Sequence, residues 1–203
     1  MRVQTARTDT ADRVLDLAER LVQTRGFNGF SYADIASELG VTKASLHYHF
    51  PTKAELGRRL IDRYGEAFAQ ALADIDASGT DARVKLHRYA SLYARVLRDD
   101  RMCLCGMMAA DYATLPEPMK SAVTQFFEAN EQWLASVLEQ GRANGDLRFS
   151  GAPVDVARLL VGSLEGAMLV ARSFGDVSRF ESISDWLLAD LEGADSRHVP
   201  LAT

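Results

Sequence analysis

The segment Ser31–Lys53, SYADIASELGVTKASLHYHFPTK, constrains the fold more than any other part of the chain. Its pattern indicates two short helices joined by a tight turn, with a third helix starting directly afterwards. Ala36, Gly40 and Leu46 occupy the positions where such a unit needs a small residue, a turn glycine and an apolar anchor. Gly40 can adopt the left-handed backbone conformation of a tight turn because it has no Cβ atom. The spacing therefore predicts a helix-turn-helix.

The outer face of the predicted second helix carries hydrogen-bonding side chains and no acidic residue. These side chains belong to Thr42, Lys43, Ser45, His47, Tyr48 and His49. Such a surface suits the major groove of DNA and the phosphates beside it. One helix of this kind reads only a few base pairs, so useful specificity requires two copies on a pseudo-palindromic site. We therefore expect a homodimer that binds double-stranded operator DNA.

The order of these signals resembles the tetracycline-repressor (TetR) family of bacterial transcription regulators. TRGFNGFS, at 24–31, leads into the predicted helix-turn-helix, and LHYHFPTKAEL, at 46–56, leads out of it. The resemblance covers roughly residues 9–60. It implies an all-α fold, in which an N-terminal three-helix helix-turn-helix domain that binds DNA precedes a C-terminal helical domain for ligand binding and dimerisation.

The resemblance also implies roles for individual residues. Positions matching Lys43 and Ser45 approach base edges in this family, while those matching His47, Tyr48, His49 and Lys53 hold the DNA backbone. Many members carry a tyrosine where this chain has His47, a departure that could change the preferred base or add modest pH sensitivity. Core packing is the alternative for Tyr48. The candidate DNA-binding residues are Ser31, Tyr32, Thr42, Lys43, Ala44, Ser45, His47, Tyr48, His49 and Lys53.

Capping signals and helical periodicity set the expected organisation of the chain. Ser31 with Asp34 has the spacing of a capping box, and Thr42 should cap the reading helix. Helices are predicted at 9–25, 53–76, 83–99, 102–114, 117–143, 153–174 and 178–192, and the end after Gly193 is predicted to fray. We expect a DNA-binding domain over 1–55, a linking helix to about 76, and an effector-binding and dimerisation domain over 77–203.

The charge is distributed unevenly along the chain. The net charge is −5, but residues 1–65 contain 10 Lys and Arg against 8 Asp and Glu, while the rest contains 13 against 20. Phosphate contact requires only local positive charge. No apolar run approaches the roughly 18 residues of a membrane span. The polar start, MRVQTARTDTADR, lacks a signal-peptide core. We expect a cytoplasmic protein with no membrane partner.

The segment 156–172, VARLLVGSLEGAMLVAR, is apolar nearly all round and has small residues at its centre. A helix of this kind must be buried on every side. One flank could pack inside the subunit while the other meets a second copy, together with an apolar stripe on the last helix. A purely intrachain core is the alternative. The predicted dimer interface consists of Leu159, Gly162, Ser163, Gly166, Phe180, Ile183, Trp186 and Leu187.

Methionine and aromatic side chains in the second half favour a small hydrophobic effector, because methionine adapts to irregular spaces. Plain core packing is the alternative for each of them. The candidate effector-binding residues are Cys103, Met107, Met108, Phe126, Phe127, Trp133 and Met168.

Cys103 suggests a second kind of effector. The segment RMCLCGMMAAD, at 101–111, resembles the region where some relatives, repressors of electrophile-detoxifying reductases, carry a reactive cysteine. A helix N-terminus and the adjacent Arg101 would favour the thiolate. The alternative is that Cys103 is a small buried hydrophobe. Together, Cys103 and Cys105 offer too few donors for a metal site, and we expect neither a metal nor a cofactor.

An enzyme is the least favoured class of function. The sequence offers no nucleophile-base-carboxylate order, no phosphate-binding glycine loop and no cluster of metal ligands. Asp111 and Glu165 are candidate paired carboxylates, and a solvated or structural role is the favoured alternative for both. The leading hypothesis is a homodimeric repressor released from its operator by a small hydrophobic or electrophilic effector. The alternatives are a redox or electrophile sensor acting through Cys103, and a DNA-bound interaction protein without a small effector.

Overall fold

The computed structural model describes residues 2–192, with side chains from Thr10 onward, and this range is all-helical, as expected. The end after Gly193, where fraying is predicted, lies outside the described residues. Two 3₁₀ turns, at Phe27–Gly29 and Tyr112–Thr114, connect helices. The α-helices are α1 (Arg2–Arg25), α2 (Tyr32–Leu39), α3 (Lys43–His49), α4 (Lys53–Ala77), α5 (Ala82–Arg98), α6 (Leu104–Ala110), α7 (Glu117–Asn144), α8 (Pro153–Phe174) and α9 (Val177–Leu191).

The helix bounds follow the sequence pattern closely, with two corrections. The first helix begins at Arg2 rather than at residue 9. The helix predicted over 102–114 is shorter, because Cys103 is the N-cap of α6 and Asp111 ends it, after which a separate 3₁₀ turn follows. Pro153 stands in the first turn of α8, where a missing N–H leaves no helical hydrogen bond unmade.

The chain forms two compact units. The first contains the chain up to Ala69 together with Asp100–Phe126, and the second contains Gln70–Asp99 together with the chain from Phe127 onward. The helix-turn-helix and α6 therefore belong to the same unit. The domain boundary at 77–81 stays a prediction, and in the structure α4 ends at Ala77, just before this segment.

The core of the first unit forms where apolar residues recur at helical spacing. Phe27 and Phe30 close this core, with their rings edge-to-face and the centroids 6.1 Å apart. Burial of these side chains is the main force that holds the short helices α2 and α3 in place. The buried apolar residues include Val14, Leu15, Leu17, Ala18, Leu21, Val22, Ile35, Leu46, Leu56, Leu60 and Ile61.

The core of the second unit combines apolar side chains with a small polar network. The Tyr89 hydroxyl lies 2.9 Å from the Tyr93 hydroxyl and donates to the Asn130 side-chain oxygen at 3.2 Å. These hydrogen bonds satisfy polar groups that would be costly to bury alone. Gly175, in the left-handed conformation with φ 62°, ends α8 and allows α9 to pack against it.

Within residues 2–192, none of the helices combines the length and the apolar character that crossing a bilayer requires.

Candidate nucleic-acid interface

The capping box predicted at the start of α2 is present. The Asp34 carboxylate accepts hydrogen bonds from both the backbone N–H and the hydroxyl of Ser31, each at 2.7 Å, and the Ser31 hydroxyl accepts from the Ala33 N–H at 3.2 Å. The hydrogen bond from the Ser31 side chain, followed by the one from the Ser31 backbone, lowers the pKa of Asp34 below its ordinary value. Ser31 is exposed, so the start of α2 lies at the surface.

The turn and the start of α3 also have the predicted geometry. Gly40 has φ 68°, in the left-handed region, and its N–H donates to the Ala36 carbonyl. The Thr42 hydroxyl accepts from the Ser45 N–H at 3.2 Å and caps α3. Leu46 is fully buried and anchors α3 to the core. With its inner face fixed in this way, α3 presents the rest of its side chains outward.

The outer face of α3 is open to solvent and carries no acidic group. Tyr48 is 60% exposed, so the core-packing alternative for this residue is wrong. The Tyr48 ring meets the His49 ring edge-to-face at 5.2 Å. Among the described residues, the Lys43 ammonium has no hydrogen-bond or ion-pair partner. Thr42, Lys43, Ala44, His47 and Tyr48 are exposed, and Ser45 and His49 are half-buried.

Tyr32 and His47 form a contact between the start of α2 and the end of α3. Their ring centroids lie 4.8 Å apart. The Tyr32 hydroxyl donates to the Phe50 carbonyl at 2.7 Å, and burial, with the charge of Glu55, raises the pKa of Tyr32 to about 12. The Nδ1 atom of His47 lies 3.1 Å from the Pro51 carbonyl oxygen. Because a carbonyl only accepts, Nδ1 is the donor in this hydrogen bond, which leaves the other ring nitrogen for an external partner.

Lys53 was expected to bind DNA phosphate, but its ammonium already makes hydrogen bonds inside the first unit. Its ammonium donates to the carbonyls of Phe27 and Phe30 at 2.5 and 2.6 Å, and it lies over both rings at 4.6 and 4.3 Å from the centroids. Burial lowers the pKa of Lys53, while the charges of Asp111 and Asp34 oppose this shift. Lys53 thus closes the core beside α3, and no local pattern predicts these contacts.

The candidate dimer residues divide into exposed and buried positions. Leu159 and Trp186 are 60% and 69% exposed, Ile183 is exposed, and a side chain at Gly162 or Gly166 would meet open space. Ser163 and Leu187 are half-buried. Phe180 is only 1% exposed, so its assignment to an interface is wrong, because it packs inside the subunit. Leu169, Val170 and Phe174, which the sequence reasoning missed, extend the exposed apolar face.

The candidate effector residues fall in both units. Cys103, Met107, Met108 and Phe126 belong to the first unit, and Phe127, Trp133 and Met168 belong to the second. Most are buried, whereas Met107, Phe127 and Trp133 are half-buried. Trp133 stacks on Tyr89 with centroids 5.6 Å apart and donates to the Asp76 carboxylate at 2.8 Å.

The surroundings of the two cysteines are those of a packed core. Cys103 and Cys105 are 1% and 0% exposed, and both are free thiols. The Cys103 sulfur accepts a weak hydrogen bond from the Gly106 N–H at 3.5 Å, as the N-cap of α6. Across the part of the chain that the structure describes, no group of three potential metal ligands occurs.

Two family models match the chain. Residues 14–60 match the model described as bacterial regulatory proteins, tetR family, and residues 82–186 match a tetracyclin repressor-like C-terminal domain. The first match contains α2, α3 and the start of α4, and the second covers about half of the chain.

Comparison with individual proteins gives the same result. A solved TetR-family regulator from Agrobacterium tumefaciens is 31% identical, covers 92% of this chain and 99% of that one, and superposes with a TM-score of 0.89. The Escherichia coli repressor NemR is 29% identical over 82% of this chain and 87% of its own. The nucleoid occlusion factor SlmA of Colwellia psychrerythraea is 27% identical over 76% of this chain and 78% of its own. These matches are DNA-associated regulators rather than enzymes.

Proposed function

Because the chain belongs to the tetR family of bacterial regulatory proteins, we propose that α3 is the helix with which this transcriptional repressor reads its operator. The observation that carries the assignment is the outer face of α3, which is exposed, rich in hydrogen-bonding groups and free of acid. An acid on this face would repel phosphate, and an apolar face would require cover by protein. Neither is found on α3.

The side chains of α3 divide into two roles. Lys43 and Ser45, in its first turn, contact base edges, since the start of a reading helix usually enters the groove. Tyr48 and His49 hold the phosphates, and His47 does so in its imidazolium form, in which the remaining ring nitrogen is also a donor. The starts of α2 and α3 border the same DNA backbone, with the exposed residues Ser31, Thr42 and Ala44 and the half-buried Tyr32.

The repressor acts as a homodimer on a pseudo-palindromic operator in the cytoplasm. The exposed apolar face of α8 and α9, with Leu159, Gly162, Gly166, Ile183 and Trp186, supports this proposal. Large exposed apolar patches mark association sites, and glycines let helices approach closely. A second copy is the natural occupant, because two reading helices must engage one site together.

A small hydrophobic effector releases the dimer from its operator. Its binding changes the separation of the two reading helices, and a small change suffices because operator affinity depends on both helices engaging at once. Within the second unit, Phe127 and Trp133 are the half-buried members of the candidate set and the ones most open to such a ligand.

Removal of a reading side chain tests the proposal. Lys43→Ala and Tyr48→Ala should each weaken binding to a duplex from the promoter beside the gene by about tenfold or more, since each contact is lost twice per dimer. The measurement is fluorescence anisotropy, with sedimentation confirming an unchanged mass. Lys120→Ala, which removes an ammonium that pairs with Glu117, is the matched control. Full binding by both α3 variants would remove the assignment of α3.

Trp186→Asp separately tests the dimer face. A buried, unpaired carboxylate at the centre of an apolar interface opposes association. The variant should sediment as a monomer and lose operator binding while its circular dichroism stays unchanged. A dimer of normal affinity would exclude this face.

A thiol sensor is the second candidate, and the position of Cys103 at the N-cap of α6 favours it. Operator release by a quinone should then be lost in Cys103→Ser, which keeps an acceptor at the N-cap position. Cys105→Ser is the matched control. Release that persists in Cys103→Ser would end this candidate.

A DNA-bound interaction protein without a small effector is the third candidate, and the similarity to SlmA favours it. Chromatin immunoprecipitation separates it from a local repressor. Binding at many scattered chromosomal sites would support it, whereas one or two promoter sites would support the repressor.

A further inference from the structure

The turn Gly26–Phe30, between α1 and α2, is held by residues more than eighty positions away. The Asn28 N–H donates to the Asp111 carboxylate at 3.2 Å, and the Asn28 side-chain amide donates to the Thr114 hydroxyl oxygen at 2.8 Å. The Thr114 hydroxyl in turn donates to the Asp111 carbonyl at 2.9 Å. The backbone N–H and the side-chain NH₂ group of Asn28 therefore both donate to residues at the end of α6 and directly after it.

The backbone of the turn is shaped to admit this segment. Gly26 has φ 81°, a conformation that side chains disfavour, and a Cβ atom there would lie 3.1 Å from the Asp111 carboxylate and 3.8 Å from the Met107 methyl group. At the other end of the segment, the Met102 N–H donates to the Gln23 carbonyl at 3.1 Å. Residues 102–114 are thus tied to both sides of the end of α1.

The start of α7 packs against α4 beside the same turn. A Cβ atom at Gly57 would lie 2.5 Å from the Met119 methyl group and 2.7 Å from the Phe27 ring, so both side chains pack closely against α4 at Gly57. The Arg58 guanidinium also donates to the Pro118 carbonyl at 3.3 Å. The turn is consequently packed as well as hydrogen-bonded.

The same turn is connected to the reading helix. Lys53, the first residue of α4 and four positions after the end of α3, donates to the carbonyls of Phe27 and Phe30, and Asp111 supplies part of the opposing negative charge. Tyr32, directly after the turn, is bonded to the Phe50 carbonyl at the end of α3. The turn that contains Asn28 is therefore linked to the end of α3 by two sets of contacts, those of Lys53 and that of Tyr32.

We propose that Asp111 and Thr114 are positioning residues for operator binding, which hold the Gly26–Phe30 turn and, through it, α3 in the DNA-reading orientation. This proposal rests on the assignment of α3 as the reading helix. The segment 102–114 also contains the candidate effector residues Cys103, Met107 and Met108. Occupation or modification of this segment would change operator affinity through the Asn28 contacts.

The test compares operator DNA with a scrambled duplex of the same length and composition. The double variant Asp111→Ala/Thr114→Ala should reduce the ratio of the two affinities about tenfold, because two partly exposed hydrogen bonds are lost in each subunit. Asp111→Asn and Thr114→Ser, which keep an acceptor, should retain most of the ratio. Glu117→Gln, on an exposed carboxylate of the same region that pairs with Lys120, is the control and should leave it unchanged.

The ratio separates positioning from simple stability. Loss of folded protein lowers the active concentration for both duplexes equally, whereas a misplaced reading helix affects the operator alone. An unchanged ratio in the double variant, or an equal fall in both affinities, would overturn the proposal. Lys43→Ala, measured in parallel, should lose the ratio whether or not Asp111 matters. A wild-type protein that does not discriminate would instead refute the reading-helix assignment, and the positioning proposal with it.

Discussion

The helices α3 and α6 have the same length, seven residues, but one lies at the surface and the other in the core. Of the residues of α3, Leu46 is buried and most of the others are exposed. In α6, by contrast, Leu104, Cys105 and Met108 are all fully buried. A short capped helix can therefore serve either as a contact surface or as packing, and its apolar content decides which.

The difference shows where function can be read from local sequence. In α3 most of the polar side chains are exposed, so they are available to an external partner, which we propose to be operator DNA. In α6 almost every side chain is apolar, and its contribution depends on the groups at its ends. At its start Cys103 makes a local cap, whereas at its end Asp111 contacts Asn28, 83 positions earlier, which no local pattern specifies.

The largest expected effect is a difference in the free energy of unfolding between a variant of α6 and a variant of α3. Met108→Ala should lower the free energy of unfolding by about 2–5 kcal/mol, because a fully buried side chain leaves a cavity. Tyr48→Ala removes a larger side chain but should change the free energy of unfolding by less than about 0.5 kcal/mol, because Tyr48 is largely exposed. Urea denaturation followed by circular dichroism measures both.

Leu46→Ala is the control for this pair, because Leu46 is the buried residue of α3 and should behave like Met108. If Tyr48→Ala proved as destabilising as Met108→Ala, the outer face of α3 would be part of the core and the contrast between the helices would disappear.

Sequence reasoning reached most of the fold because the helices are amphipathic and clearly capped. The capping box at Ser31, the left-handed Gly40, the Thr42 cap and the buried Leu46 were all predictable from residue type and spacing, and the structure confirms them. Local rules govern these features, since each involves residues within a few positions of one another.

The contacts that could not be predicted join residues distant in the sequence. Lys53 was predicted at phosphate, but its ammonium is engaged by carbonyls 23 and 26 positions earlier. Phe180 was assigned to a dimer face, because a stripe on a helix does not reveal which side meets its own subunit. Asp111 had two readings, a catalytic pair or a structural carboxylate, until its contact with Asn28 was visible.

A smaller effect is expected where α3 joins the rest of the first unit. Tyr32→Phe removes the hydroxyl that donates to Phe50 and should lower the free energy of unfolding by about 1 kcal/mol at neutral pH. Because the pKa of Tyr32 is raised from 10.0 to about 12, its contribution is complete below pH 10 and disappears as the pH rises through 12. Urea denaturation between pH 8 and pH 12, at intervals of about one pH unit, should therefore show a shallower alkaline loss in the variant.

Tyr112→Phe provides the matched control for the alkaline measurement, because Tyr112 is an exposed tyrosine in the segment after α6. This variant should keep the wild-type alkaline loss. An alkaline loss of equal steepness in Tyr32→Phe and wild type would mean that the hydroxyl does not hold the end of α3, and α3 would then be more loosely attached than its contacts indicate.

The smallest effect is expected at acid pH, at the capping box that precedes α3. The pKa of Asp34 lies below its ordinary value of 3.8, so the charged carboxylate stabilises the fold above pH 3.8, and this contribution is lost as the pH falls through the lowered pKa. Asp34→Asn should be less stable than wild type at neutral pH and should approach it at acid pH, as measured by thermal melts. Asp12→Asn, on an exposed acid of α1, is the control. A difference in stability between Asp34→Asn and wild type that stayed constant down to the lowest pH would mean that the acid sensitivity does not come from the Asp34 carboxylate.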